Sequence, residues 1–139
     1  MRLALTFFRK DRDSRGGGVA VAFNSKEITL KKLNLNCLKN KPDLEILATR
    51  GKLRNYKKEL NIFSCYVPPK FSKSDSVRFL DTLSDAIAEA KTSSEGWFSI
   101  GADWNHRSLT PLLDMYPDIK QVLTPPTRKN NELDIMLSI

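Results

Sequence analysis

Apolar and polar residues alternate along most of the first half of the chain, which is typical of β-strands with one buried face. The alternation predicts strands at residues 3–8, 19–23, 27–35, 44–53 and 60–67. The last of these is the clearest, because it is rich in β-branched and aromatic residues and is followed by Pro68 and Pro69. A short basic turn separates it from the strand before it, so we expect these two strands to form a hairpin.

The spacing becomes helical after these prolines. An apolar stripe at helical intervals is formed by Val77, Leu80, Leu83, Ile87 and Ala90. Ser72 followed by Asp75 matches a capping box, so the helix should begin just after Ser72. Three acidic residues lie off the stripe and predict a solvated face: Asp81, Asp85 and Glu89. The rest of the chain predicts a strand at 97–100 that breaks at Gly101, a short helix at 110–116, short strands at 119–123 and 133–137, and a loop at 125–131.

The order of these elements, mostly strands followed by a long helix and more strands, predicts an α+β fold with a mixed sheet and helices packed outside it. The 139 residues, of which 40% are hydrophobic, suit one domain with its own core. The sequence contains no apolar stretch of the roughly 18 residues that would span a membrane, and no signal peptide is expected. Cys37 and Cys65 lack metal-ligand spacing, which favours two reduced, partly buried thiols in an intracellular protein.

The chain is strongly basic, with a formal net charge of +7 and an isoelectric point near 9.5. Such an excess suits a polyanionic partner and favours nucleic acid over an acidic protein surface. A basic surface that serves solubility alone is an equal alternative on charge alone. A basic structural or protein-interaction module is a third class.

Candidate chemistry centres on Asp103 and Asn105, which follow the predicted strand at 97–100. In an extended segment, side chains two positions apart point to the same face, so this carboxylate and carboxamide should lie side by side. Trp104 should point the other way and pack. The pair suits a site for a divalent cation and a phosphate. The run Gly16–Gly18 does not predict a phosphate-binding loop, because a strand and not a helix follows it.

Other candidate groups are Tyr66 at a strand end, Thr127 and Arg128 in a loop, and Asp134 in the final strand. A phenol can hydrogen-bond phosphate oxygens, an arginine can pair with a phosphate, and carboxylates bind hard cations such as Mg²⁺. Singly, most have an ordinary structural explanation, such as a turn-forming Asp or a core Tyr with a wet tip. Asp134 is the exception, because an unpaired carboxylate in an apolar strand is costly.

Five short motifs occur in a fixed order along the chain. They are Gly16-Gly17-Gly18-Val19, Tyr66-Val67-Pro68-Pro69, Gly101-Ala102-Asp103-Trp104-Asn105, Pro126-Thr127-Arg128 and Leu133-Asp134-Ile135-Met136-Leu137. Together they resemble the endonuclease/exonuclease/phosphatase family, and most closely the apurinic-type endonuclease domain of LINE-like (non-LTR) retrotransposons. In that family the corresponding motifs are Gly-Gly-Gly-Val, Tyr-x-Pro-Pro, Gly-Asp-Phe-Asn, Pro-Thr-Arg and Leu-Asp-x-x-Leu.

The resemblance implies a four-layer α/β/β/α sandwich, with two mixed sheets face to face and helices outside. Residues 1–139 would form a single domain of this kind, incomplete at both ends. The implied activity is hydrolysis of phosphodiester bonds in nucleic acid with Mg²⁺ or Mn²⁺ as cofactor. DNA is the implied partner, without a membrane or an obligate protein partner, and the implied location is the nucleus. A phosphatase-like substrate stays open within the same family.

The resemblance also implies residue roles. Asp103 would hold or orient the metal-activated water, and Asn105 would help to position that water and the phosphate. Tyr66 would contact the scissile phosphate, and Asp134 would orient a catalytic histidine. Beside the DNA-binding edge would lie Thr127 and Arg128.

The departures from the family pattern concern the rest of its site. The family's metal-binding Glu and an early Asn precede the Gly-rich strand, whereas Met1 begins after them, and Glu27 and Glu45 come too late to substitute by sequence. The family's Ser-Asp-His segment would follow Ile139, and His106 does not match its position. We therefore expect weak or no catalysis from this chain, with a non-catalytic remnant that binds nucleic acid by charge as the alternative.

Overall fold

The computed structural model describes residues 5–11, 17–105, 110–118, 120–121 and 134–138, the last two ranges by their backbone alone. The strands are β1 (Leu5–Lys10), β2 (Val19–Asn24), β3 (Ile28–Lys32), β4 (Glu45–Leu53), β5 (Glu59–Tyr66), β6 (Trp97–Asp103), β7 (Lys120–Gln121) and β8 (Asp134–Ser138). The helices are α1 (Lys73–Thr92) and α2 (Thr110–Met115), and a 3₁₀ turn spans Asn36–Leu38. The predicted α+β class is confirmed.

The strands form two sheets. Strands β1 and β2 make an antiparallel pair, and the other six form a mixed sheet in the order β3-β4-β5-β6-β8-β7. Strands β5 and β6 run parallel and the remaining neighbours run antiparallel. The predicted hairpin of β4 and β5 is confirmed, with its register running from Glu45 opposite Tyr66 to Lys52 opposite Glu59.

The sheets and helices stack as layers. Helix α1 covers one face of the six-stranded sheet, and the main core between them includes Phe63, Leu83, Ile87 and Ile100. The β1–β2 pair covers the opposite face through a second apolar cluster: Val19, Val21, Ile28, Leu30 and Leu47. This helix, sheet, sheet order agrees with part of the predicted sandwich. No helix among the described residues is long and apolar enough to cross a membrane.

Helix α1 begins as predicted. The Ser72 hydroxyl accepts the backbone N–H of Asp75 at 3.1 Å, and the Asp75 carboxylate accepts the N–H of Ser72 at 3.2 Å, which completes the capping box. The predicted apolar stripe is wrong at its first position, because Val77 is exposed and Phe79 is buried. Phe79 makes edge-on contacts with Phe71 and Trp104, and these aromatic contacts set which face of the first turns is buried.

The sequence predicts that strand β6 breaks at Gly101, but the strand continues to Asp103. The reason is that both neighbouring strands continue as well: Gly101 is in register with Ser64 on one side and Met136 on the other. Hydrogen bonding to two neighbours offsets the entropic cost of a glycine inside a strand. The extension carries Asp103 to the end of β6, level with the end of β5.

Arg50 is a charged residue inside the main core, with only 5% of its surface exposed. Its guanidinium donates to Asn61 Oδ1 at 2.6 Å, to Ser93 Oγ at 2.7 Å and to the Ala90 carbonyl at 2.7 Å. All three partners are neutral, but Ala90 and Ser93 belong to the C-terminal end of α1, where the helix dipole is negative. Arg50 therefore fastens the end of α1 to β4 and β5.

Both cysteines are free thiols; Cys37 is partly buried, as predicted, whereas Cys65 is fully buried. Cys65 lies in the main core, and burial raises the pKa of its thiol to about 12. Burial is also the main cause that raises the pKa of Cys37, with the nearby Glu89 carboxylate adding to it. Neither thiol is an activated nucleophile, since that role needs a lowered pKa.

Candidate functional site

Three of the candidate residues lie in one row across neighbouring strands. Tyr66 ends β5, Asp103 ends β6 and Asp134 begins β8. Tyr66 is in register with Asp103, and Asp103 is in register with Asp134. Residues paired in this way are about 5 Å apart at their Cα atoms. The fold thus brings together three positions that are far apart in sequence.

Asp103 occupies the centre of this row. Its side chain is half-buried, and its Oδ1 atom is shielded from solvent. Its backbone carbonyl accepts the N–H of Val67 at 3.0 Å, which fixes the end of β6 against the end of β5. Shielding from water makes the negative charge of a carboxylate costly, and a nearby cation would stabilise that charge.

Trp104 points into the core, as the sequence predicts. Only 1% of its surface is exposed, and its ring packs against the edge of Phe79 with centroids 5.9 Å apart. This contact anchors the chain where β6 ends. The buried indole thereby fixes the positions of the residues on either side of it, Asp103 and Asn105.

Asn105 lies beyond the strand and adopts a left-handed conformation, with φ of 47°. The prediction that Asp103 and Asn105 share one face of an extended segment is therefore wrong, because the extended backbone ends before Asn105. Asparagine tolerates this conformation better than most residues. Its side-chain nitrogen donates to the Val67 carbonyl at 2.7 Å, so the amide group is held at the end of β5. Its amide oxygen is the atom suited to accept a hydrogen bond or to bind a cation.

Tyr66 is half-buried against the apolar cluster between the two sheets. On its other side it is in register with Glu45, the first residue of β4, which is 4% exposed. Glu45 Oε1 accepts the backbone N–H of Gly18 at 2.8 Å, which ties the larger sheet to the start of β2. Sequence order had excluded Glu45 from the site, yet the fold places it in the same row. A signal was present, since Glu45 is a charge between the apolar residues Leu44 and Ile46.

The remaining candidates lie outside the described residues. These are Thr127, Arg128 and His106, together with the loop at 125–131. The structure therefore brings together Tyr66, Asp103 and Asn105 with their side chains, and Asp134 by its backbone position.

The row offers a partial set of ligands for a divalent cation. Within the described part of the chain, no group of three or more His, Cys, Asp or Glu residues is arranged to hold a metal. Asp103, the residue expected to bind the metal, nevertheless lies directly opposite the backbone position of Asp134 on the neighbouring strand. Mg²⁺ is commonly held by one or two carboxylates, with water and substrate phosphates as the other ligands. The donor set fits that mode of binding.

Comparison by sequence identifies no relative: no protein-family model matches the chain, and no curated protein does. Comparison by structure finds clear neighbours. One is the endonuclease domain of TRAS1, a telomere-specific non-LTR retrotransposon, with a TM-score of 0.68 and 14% identity over 96% of this chain and 66% of that one. A second is D. rerio TDP2 complexed with a single-strand DNA product, with a TM-score of 0.67 and 11% identity over 97% and 62%. A third is an endonuclease/exonuclease/phosphatase family protein from Bacteroides thetaiotaomicron, with a TM-score of 0.71 and 9% identity over 97% and 59%.

These likenesses establish the fold. It is the fold of endonuclease/exonuclease/phosphatase proteins, and its neighbours include the endonuclease domain of a LINE-like element. The predicted fold is therefore confirmed. The chain spans 59–66% of the length of these three structures.

Proposed function

We propose that this chain carries part of the active site of a divalent-metal-dependent phosphodiesterase that acts on nucleic acid, as an endonuclease domain of a retroelement. The observation that carries the proposal is the row of Tyr66, Asp103 and Asp134, with the Asn105 amide beside it. Two carboxyl-bearing positions, a phenol and a carboxamide lie together at one end of these strands, and such groups bind a phosphate and a hard cation. The fold neighbours, which include an endonuclease domain and a DNA-bound protein, support the same chemistry.

In this proposal each residue has a separate task. Asp103 orients the attacking water, and the amide oxygen of Asn105 fixes that water beside the phosphate. The Tyr66 hydroxyl donates to a phosphate oxygen, and Asp134 orients a proton-transferring group. Thr127 and Arg128 belong to the DNA-binding edge. The cation, Mg²⁺ or Mn²⁺, supplies Lewis-acid stabilisation of charge on the phosphate.

The basic charge supports nucleic acid as the substrate class. A formal net charge of +7 draws the protein to a polyanion, and nucleic acid offers many phosphates in line, whereas a sugar phosphate offers one. DNA is the proposed nucleic acid, and the nucleus is the proposed place of action.

A plasmid-nicking assay tests the proposal. The purified chain is incubated with supercoiled plasmid and Mg²⁺, and the rate of conversion to open circles is compared with Asp103→Ala and with an EDTA control. We expect slow Mg²⁺-dependent nicking that falls about 100-fold in Asp103→Ala, since the loss of one preorganised group commonly costs that much. Asp81→Ala is the matched control, because Asp81 is an exposed aspartate on α1, and it should nick at the unchanged rate. Nicking that survives in Asp103→Ala, or that ignores Mg²⁺, contradicts the proposal.

The alternative is a non-catalytic domain that binds nucleic acid by charge. It is favoured by one observation: the described residues contain no group of three or more potential metal ligands in one place. It predicts binding that weakens steeply with added salt and is indifferent to Mg²⁺ and to Asp103→Ala, without any nicking. Electrophoretic mobility shifts in EDTA, measured beside the nicking assay, separate the two.

A further inference from the structure

A basic cleft of about 340 Å³ opens at the free edge of the six-stranded sheet. It arises because β3 ends at Lys32, opposite Thr49, whereas β4 continues to Glu45. The segment after β3 stays beside β4 for one more residue, since the Leu33 N–H donates to the Ala48 carbonyl at 2.9 Å, and the residues that follow form a wall of the cleft. The cleft is lined by Lys10, Lys32, Leu33, Asn34, Leu35, Leu38, Lys39, Ile46, Leu47 and Ala48.

The charge of the cleft has a single sign. Three lysines, Lys10, Lys32 and Lys39, line it, and no acidic residue does. The nearest acid on α1, Glu89, is occupied in accepting the N–H groups of Asn36 and Cys37 at 2.7 and 3.1 Å. Clustered like charges are unfavourable unless an anion neutralises them. The cleft is therefore suited to an anionic ligand.

The floor of the cleft is partly apolar, and the apolar side chains that reach its surface are those of the half-buried Leu33 and Leu38. A bare phosphate or sulfate gains nothing from such a floor. A ligand with both a phosphate and a flat, weakly polar body buries that body on these two leucine side chains while its phosphate meets the lysines. A nucleotide unit has this combination.

The cleft adjoins the row that contains Asp103. Ile46 in the cleft follows Glu45, which is in register with Tyr66. Lys10 crosses from β1 and donates to the Leu44 carbonyl at 2.6 Å, directly before Glu45. Strands are about 4.8 Å apart, so β4 lies about 10 Å from β6. A strand of nucleic acid that leaves Asp103 in this direction reaches the cleft within a few nucleotides.

We propose that this cleft binds a nucleotide of the substrate strand, with its phosphate between Lys32 and Lys39 and its base on the apolar floor. The proposal rests on the proposed action on nucleic acid and adds a subsite away from the cleavage point. Lys10 connects the cleft to the row that contains Asp103, because it lines the cleft and its ammonium group donates to the Leu44 carbonyl just before β4.

The test measures binding alone. A short fluorescein-labelled single-stranded DNA is titrated with protein in EDTA over a range of salt concentrations, with fluorescence anisotropy as the readout. The Lys32→Gln/Lys39→Gln variant should bind roughly tenfold more weakly, and its slope of log affinity against log salt should fall by ~1.4, the share of two phosphate contacts. The Lys52→Gln/Lys57→Gln variant loses the same charge from exposed residues near the other end of β4, and it should bind like the wild type.

Equal losses in the two variants would mean that only net charge matters, and no loss in either would mean that the cleft is not used. Both results overturn the proposal. Inorganic polyphosphate provides the third arm: if it competes as well as unlabelled oligonucleotide at equal phosphate concentration, the base does not occupy the floor. Because the titration uses EDTA, a chain that never nicks DNA still gives a clear answer about the cleft.

Discussion

Replacing Trp104 with alanine is expected to lower the free energy of unfolding by ~3–5 kcal/mol, the usual cost of removing a buried tryptophan. The indole is 1% exposed and forms part of the main core beside Phe79. Its loss leaves a cavity that α1 and β6 are unable to fill without moving. Because Trp104 sits between Asp103 and Asn105, the same movement should abolish nicking under conditions in which the variant stays folded.

The second tryptophan of the chain is the matched control. Trp97 begins β6, is 40% exposed and contacts Tyr56 edge-on with centroids 6.0 Å apart. Trp97→Ala should cost no more than ~1.5 kcal/mol, the value of one aromatic contact. Urea unfolding followed by far-UV circular dichroism is the appropriate measurement, since both variants alter the fluorescence. Equal losses in the two variants would refute the view that Trp104 anchors the end of β6.

Replacing Arg50 with methionine is expected to cost ~3–4 kcal/mol. Methionine keeps most of the buried volume but leaves the Asn61 amide oxygen without its donor and removes the charged donor from the Ala90 carbonyl and the Ser93 hydroxyl. Each buried polar group left unsatisfied costs ~1–3 kcal/mol. The loss also removes the positive charge from the negative end of α1. The C-terminal turns of α1 should therefore loosen first.

Two further variants make the Arg50 result specific. Arg50→Lys keeps the charge but lacks the planar fork, so it should recover only part of the stability. Arg54→Met removes an exposed arginine that follows β4 and should change stability by less than ~0.5 kcal/mol. Thermal unfolding of the three proteins provides the comparison, and similar midpoints for Arg50→Met and Arg54→Met would contradict the assigned role.

The elements with strong local signals were predictable from sequence. The β4–β5 hairpin followed from alternation and a basic turn, and the start of α1 followed from Ser72 and Asp75. These features depend on residues close together in the chain, and sequence patterns report such residues well. The face of α1 was harder, because it depends on which aromatic side chains meet Phe79 across the fold.

The end of β6 was not predictable for a related reason. Gly101 resembles a strand end in isolation, but the neighbours that keep it in the sheet come from β5 and β8. The left-handed turn at Asn105 likewise depends on its hydrogen bond to Val67, on another strand. Local propensity gave way to tertiary hydrogen bonding in both places.

The candidate site could be predicted as a set of residues but not as an arrangement. Motif order singled out Tyr66, Asp103 and Asp134, and only the register of β5, β6 and β8 shows that they share a row. Glu45 was set aside because it follows the Gly-rich strand in sequence. Since β4 runs antiparallel to β5, the start of β4 lies beside the end of β5, which brings Glu45 next to Tyr66. The predicted hairpin implied this pairing, whereas the order of the motifs did not.

Strand β8 comes last among the described elements, yet it lies inside the larger sheet, between β6 and β7. Within the described residues β7 pairs with β8 alone, so it joins the sheet only after β8 has docked. Asp134 reaches Asp103 in that same step. During synthesis N-terminal segments emerge first, so β3 to β6 and α1 assemble around a half-built row. The row of Tyr66, Asp103 and Asp134 is therefore complete only after β8 has been synthesised and has paired with β6.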